Sequence, residues 1–264
     1  GSVVAASCRG RRTPKLSAML ERLRTVRGVM RSLGLYYGAK SRRFEKDRLY
    51  AQFVKPGDLV FDVGAHVGDR VASFRRLGAR VVAIEPQPAL AFTLKALYGR
   101  DRNVVIESKA VGRSLGTLDM KINLDNPTVS TVSGAFIDAS RGAEGWDGQV
   151  WEKTIMVPVT TLDALIEAHG APAFVKIDVE GFEAEALAGM TRTVKALSVE
   201  FTTIQREVAQ ASIARCSALG FRRYNAAIGE SQELGEWRSA EAITDWLLEL
   251  PHAANSGDIY ARMA

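Results

Sequence analysis

The chain has 264 residues, 47% hydrophobic and 25% charged, the balance of an ordinary globular protein with ample material for one large core. No apolar run approaches the roughly 18 residues of a membrane span, and Cys8 and Cys216 lie too far apart in unrelated segments for a disulfide scaffold, which fits a reducing, cytoplasmic compartment. The net charge of +5 comes from the first 50 residues, where 13 Lys and Arg face only Glu21, Glu45 and Asp47, while the remainder has 22 basic and 27 acidic residues, so no nucleic-acid partner is expected at the active face.

Residues 1–14, with Arg9, Arg11 and Arg12, are expected to be disordered. From Lys15 the spacing predicts a helix with Leu16, Met19, Leu20, Leu23, Val26, Met30 and Leu33 on one face and Arg22, Arg24, Arg27 and Arg31 over much of the rest. Such a helix over 15–33 suits an anionic membrane surface, or packs on the domain or on a second subunit, and packing is the simpler reading. A second helix, Lys40 to Phe53, ends at Lys55-Pro56-Gly57-Asp58, a turn signal. Residues 1–53 therefore read as a basic helical extension and 54–264 as the main domain.

The stretch around which the domain is organised is Leu59-Val60-Phe61-Asp62-Val63-Gly64-Ala65-His66-Val67-Gly68-Asp69. A strand runs into a Gly-x-x-x-Gly turn, and Val71, Phe74 and Leu77 mark the buried stripe of a helix that stops at Gly78. A second strand, Ala79 to Glu85, ends in an acid. In a parallel α/β sheet ligands bind beyond the carboxyl ends of strands, glycine lets backbone approach them, and an acid about 20 residues on accepts ribose hydroxyls. A dinucleotide fingerprint would place glycine where His66 stands, and an anion would be repelled by Asp69 and Asp62. The pattern therefore suits S-adenosylmethionine, with its ammonium and sulfonium, better than a pyrophosphate. The plain alternative is a tight strand–helix turn that binds nothing. Pro86 follows Glu85, Gln87-Pro88 opens a helix to Tyr98, and Asn103 to Val111 reads as a third strand that brings Ser108, Lys109 and Ala110 near an adenine.

Residues 112–158 break this rhythm. Thr117–Asn123 and Thr154–Val159 alternate, and the stretch between is rich in Gly, Ser, Asn and Asp, with Ser130, Thr131, Ser133, Trp146 and Trp151. So long an insertion is a substrate lid or a decorative loop. Thr161 caps a helix from Leu162 to His169. In Phe174-Val175-Lys176-Ile177-Asp178-Val179-Glu180-Gly181, period-2 geometry puts Lys176, Asp178 and, if the strand persists, Glu180 on one side, where buried charges must be paired or used. Glu200 closes the next strand at the same sheet edge. A helix (Gln205–Leu219), a strand (Phe221–Ala226), a segment bearing Trp237 and Trp246 and a closing strand (Asp258–Met263) follow.

Taken in order and spacing, Phe61 to Asp69, Ala83-Ile84-Glu85-Pro86 and Val175 to Gly181, with the Thr161-Leu162-Asp163 helix start, resemble the FkbM family of S-adenosylmethionine-dependent methyltransferases. The family commonly has Asn where this chain has His66. The resemblance implies a Rossmann-like fold, a seven-stranded, mostly parallel sheet with the last strand antiparallel and helices on both faces. It implies that Asp62 and the turn Gly64 to Gly68 hold the methionine part, while Glu85 holds the ribose, and Ala65, His66, Asp69, Pro86 and Asp178 are further candidates for contact with the cofactor. It usually implies O-methylation of a sugar or natural-product hydroxyl. Asp178-Val179-Glu180-Gly181 stands where amino-group methyltransferases often carry an Asn/Asp-Pro-Pro-aromatic segment. A proton acceptor is expected among Asp178, Glu180 and His66, with Lys176 beside them. Asp178, Glu180 and Glu200 could instead hold a divalent cation, which is not expected to be required. A nicotinamide-dependent oxidoreductase and a non-catalytic docking protein remain as rivals.

Overall fold

The computed structural model describes residues 14–38, 40–229 and 231–263. The expectation for residues 1–13, and Cys8, lie outside these. In chain order, α1 (Pro14–Tyr37) and α2 (Lys40–Tyr50) precede β1 (Leu59–Val63), α3 (Asp69–Arg76), β2 (Arg80–Ile84), α4 (Pro88–Tyr98) and β3 (Val104–Glu107). Next come β4 (Ala110–Val111), β5 (Gly116–Ile122), α5 (Gly134–Ser140) and β6 (Lys153–Thr160). The chain closes with α6 (Leu162–His169), β7 (Phe174–Ile177), α7 (Glu183–Ala188), β8 (Ala196–Thr202), α8 (Arg206–Ala218), β9 (Arg223–Ile228), α9 (Ala240–Glu249) and β10 (Ser256–Arg262).

The main sheet has the order β3-β2-β1-β7-β8-β10-β9, parallel except for β10, which runs antiparallel to both neighbours. This is the Rossmann-like, mostly parallel seven-stranded sheet that the resemblance implies. Alternation along the strands divides two apolar layers. Phe61, Val63, Val175, Ile177, Leu197 and Val199 face α6 to α9. Val60, Val81, Ala83 and Phe174 face the other way, onto Val71 and Phe74 of α3, Leu94 of α4 and Leu49 and Tyr50 of α2. β1 is central and buried along its length, as a parallel strand covered on both faces must be. Its end and that of β7 lie side by side where the chain leaves β1 for β2 in one direction and reaches β7 in the other. That is the switch point at which such sheets bind ligands.

Three expectations change in detail. The predicted third strand is two: β3 stays in the main sheet, whereas β4 turns away to pair with β6. The 112–158 insertion is ordered, since β5 and β6 pair antiparallel and Met120, Ile122, Leu124, Val157 and Val159 bury a small core of their own. The β7 strand stops at Ile177, so Glu180 reaches the site through a left-handed turn (φ 55°) rather than by strand alternation.

The helix α1 does pack on the domain, but not by its large apolar stripe. Its inner face is built on Gly28 and Val29. A Cβ on Gly28 would come within 2.7 Å of the Leu124 carbonyl and 2.9 Å of Pro127, so only glycine allows this approach. Val29 packs with Val67 and Leu90. Large side chains dominate a periodicity reading, and close backbone contact needs small ones.

Candidate active site

The glycine turn after β1 is held by its neighbours. Gly64 and Ala65 both donate their amides to the Ile84 carbonyl at 2.9 and 3.0 Å. Gly64 (φ 83°) meets the loop after β7 backbone to backbone, and a Cβ there would collide with the Asp178 carbonyl oxygen. Gly68 (φ 82°) serves packing instead, its bare Cα accommodating Leu94 and Tyr98 of α4. Beside the turn lies a cavity of about 240 Å³, bounded by Gly64, His66, Glu85, Ala110, Asp178 and Glu200 among others. Of the four described non-glycine residues with positive φ, three (His66, Glu180 and Asn255) border it. Backbone strain of about 1–3 kcal/mol at each such residue concentrates at functional sites.

Glu85 is buried, and its two carboxylate oxygens accept the amides of His66 (2.9 Å) and Gln87 (2.8 Å). Each oxygen retains a lone pair for a ligand hydroxyl. Burial pushes its pKa up to about 8, against the two amide donors. Asp62 is fully buried, and neither of its oxygens has a hydrogen-bond partner. Burial raises it to about 7. Its register neighbour across the sheet is Lys176, yet the Lys176 ammonium is drawn to Asp258 at 2.5 Å, with Asp178 at 3.4 Å. An orphaned buried carboxyl, an acid with lone pairs to spare and a turn that opens on the bare Gly64 fit the ammonium, ribose and methionine backbone of S-adenosylmethionine.

Asp178, Glu180 and Glu200 bring one carboxylate oxygen each within 4.8 Å of one another. Their environments split them. Burial would raise Asp178, but Lys176 and Arg70, the latter at 2.8 Å, hold it well below the usual range. Glu180 and Glu200 are driven well above theirs, first by burial and then by the negative charge of Asp178. The trio thus sets a carboxylate shifted down beside two shifted up. Glu183, at the start of α7, fastens the loop by accepting from Val179 (2.9 Å) and Gly181 (3.3 Å). The insertion supplies Thr131, whose hydroxyl donates to the Glu180 carbonyl at 2.7 Å, and Trp146 on the cavity wall.

Several predicted site residues lie elsewhere. Asp69 is buried in an ion pair with Lys46 of α2 and does not border the cavity. Ala65 is buried behind the turn, and Ser108 lines a separate groove with Phe92 and Met156. Lys176 is wholly buried and acts on Asp178 from behind rather than facing the cavity. His66 does border it, with Nε2 3.3 Å from the Thr128 hydroxyl, but burial lowers its pKa to about 4. It is therefore a neutral ring at pH 7 and less basic than the imidazole of ordinary pKa that its sequence position suggests.

Sequence reasoning missed Arg70 and Tyr36. Arg70 stands in the first turn after the glycines, a position that carries no motif. Tyr36 comes from α1, borders the cavity and meets the His66 ring edge-on at 5.3 Å. The next residue, Tyr37, donates to the Val67 carbonyl at 3.1 Å.

These shifts make a stability prediction. Asp62, Glu85, Glu180, Glu183 and Glu200 all have pKa values raised above ordinary carboxylate values. Between roughly pH 4.5 and 8 the folded protein then binds more protons than the unfolded chain, so stability is lost as pH rises through that window. Asp178, shifted the other way, contributes only below it. The melting temperature of the ligand-free protein is expected to fall steadily from pH 5.5 to 8, by scanning fluorimetry. A flat or rising profile would contradict the assigned environments.

A family model described as the methyltransferase FkbM domain matches residues 62–251. No curated protein matches the chain. Among solved structures it is similar to a TehB-like SAM-dependent methyltransferase from Corynebacterium glutamicum (11% identity, 96% of this chain and 100% of that one, TM-score 0.46). It is also similar to precorrin-6y C5,15-methyltransferase from Geobacter metallireducens (12%, 84% and 87%, 0.43). A third is the Burkholderia thailandensis 1,6-didemethyltoxoflavin-N1-methyltransferase, solved with S-adenosylhomocysteine (12%, 99% and 93%, 0.43).

Proposed function

The chain belongs to the FkbM family of methyltransferases, and we propose that it transfers the methyl group of S-adenosylmethionine to a hydroxyl oxygen of a small sugar-bearing or natural-product acceptor. With the cofactor S-adenosylmethionine and the product S-adenosylhomocysteine, the nicotinamide and non-catalytic readings of the Glu85 site are set aside. The observation that carries the oxygen acceptor is the carboxyl trio at the cavity wall, with Asp178 ionised beside Glu180 and Glu200.

Bound S-adenosylmethionine supplies a methyl group made electrophilic by the sulfonium. In this reading Glu85 accepts the ribose hydroxyls, Asp62 receives the ammonium, and the Gly64 turn leaves room for the methionine chain. Asp178 accepts a hydrogen bond from the acceptor hydroxyl and aligns its oxygen for in-line attack, where positioning supplies much of the rate. The hydroxyl proton would pass into the trio as the oxygen–methyl bond replaces the sulfur–methyl bond, leaving both products without a new charge. Arg70 and Lys176 keep Asp178 ionised until then. The 112–158 insertion, which contributes Thr131 and Trp146, forms the acceptor-side wall and lid.

The convergence of the three carboxylates supports a second reading, in which they hold a divalent cation that takes the acceptor oxygen. Turnover that survives EDTA separates the two. The cofactor site is tested by calorimetric titration with S-adenosylhomocysteine and, in parallel, NAD⁺. One-site binding of the former alone is expected and leads to an acceptor screen that begins with glycans, whereas binding of NAD⁺ alone would overturn the assignment.

A further inference from the structure

The outer face of α1 carries an apolar stripe that no described residue covers. Leu16, Met19, Leu23, Val26 and Met30 are between 42% and 62% exposed, and their spacing by three and four residues sets them along one line of the helix. The helix is not free to roll and bury them. Its inner face is occupied by Gly28 and Val29, Arg24 bridges Asp125 and Glu152, Glu21 pairs with Lys153 at 3.1 Å, and Tyr37 is bonded to the glycine turn. Arg22, Arg27 and Arg31 are exposed and make no salt bridge among the described residues.

We propose that this face docks on an anionic lipid membrane, with α1 lying in the interfacial plane, its stripe in the acyl boundary and the arginines among the headgroup phosphates. Charge decides between this occupant and a second copy of the chain. With Leu16, Leu23 and Met30 alternating with Met19, Val26 and Leu33 as seam positions, Arg22 and Arg27 take the flanking positions that face each other across a parallel helix pair. The contact would set arginine against arginine. The one acid of α1, Glu21, is already committed to Lys153. An anionic bilayer presents the opposite sign along the whole stripe, and membrane docking does not depend on which acceptor the site methylates.

The test is co-sedimentation of the full chain with vesicles of phosphatidylcholine alone and of phosphatidylcholine containing roughly one-third phosphatidylglycerol, a strongly anionic surface. At least about tenfold stronger binding to the anionic vesicles is expected, weakened by high salt through screening. The double variant L23E/V26E is expected to lose it, and R22Q/R27Q/R31Q to lose the anionic preference. An unchanged melting temperature and unchanged S-adenosylhomocysteine affinity in both variants would show that fold and cofactor site are intact. Equal binding to the two vesicle types, or to neither, would overturn the proposal. So would a dimer in lipid-free solution, seen by light scattering, that L23E/V26E disperses, since that would assign the face to a second copy.

Discussion

Asp178→Asn is expected to lower kcat by about 10²- to 10⁴-fold, the range that a positioned proton acceptor contributes. Asparagine keeps the shape of the side chain but can neither take a proton nor balance Lys176 and Arg70, which both lie within ion-pair distance of Asp178. Leaving one member of a buried ion pair unpaired costs about 3–5 kcal/mol, so this variant is also expected to melt earlier. Glu200→Gln separates the two effects. Burial and the negative charge of Asp178 push Glu200 well above its ordinary pKa, and an amide of the same size removes proton exchange without adding a charge. It should lose turnover while keeping its melting temperature and its affinity for S-adenosylhomocysteine. Normal turnover in both variants would place the proton acceptor outside the trio.

Glu85→Gln is expected to weaken S-adenosylhomocysteine binding by at least about 100-fold. Once the ligand's hydroxyls and charge favour the ionised carboxylate, each ribose hydroxyl donating to it is worth about 1.5–3 kcal/mol, and glutamine offers one acceptor oxygen where glutamate offers two. The backbone matters as well, because the same carboxylate accepts the His66 and Gln87 amides. The amide group of glutamine leaves one of those donors unmatched in a buried position. Calorimetric titration measures the loss, and circular dichroism checks that the sheet remains. Wild-type affinity in Glu85→Gln would remove the ribose from this position.

Much of the fold was legible because its signals are local. Phe61 to Asp69 states strand, glycine turn and helix start within nine residues, and Glu85 follows within one βα unit. Even so, local pattern overreached where two continuations look alike. Nothing in Asn103 to Val111 shows that β3 ends at Glu107 and that Ala110 joins another sheet, because that depends on β6, more than 40 residues on. The same holds for α1, whose periodicity identified the helix but whose inward face was chosen by the Leu124 carbonyl and Pro127 meeting Gly28.

The site divides in the same way. By itself the sequence determined that Gly64, Glu85 and Asp178 follow the carboxyl ends of their strands, and it placed Glu200 near that edge, although β8 runs two residues beyond it to Thr202. Only the tertiary structure decided what those groups are. Asp69 became a structural ion pair through Lys46, 23 residues earlier, and Lys176 was turned from the cavity by Asp258, 82 residues later. Burial lowered the basicity of His66 and pushed Glu180 and Glu200 upward. Protonation and pairing depend on the dielectric and the charges around a group in space. Those come from segments far away in the chain, and no local pattern records them.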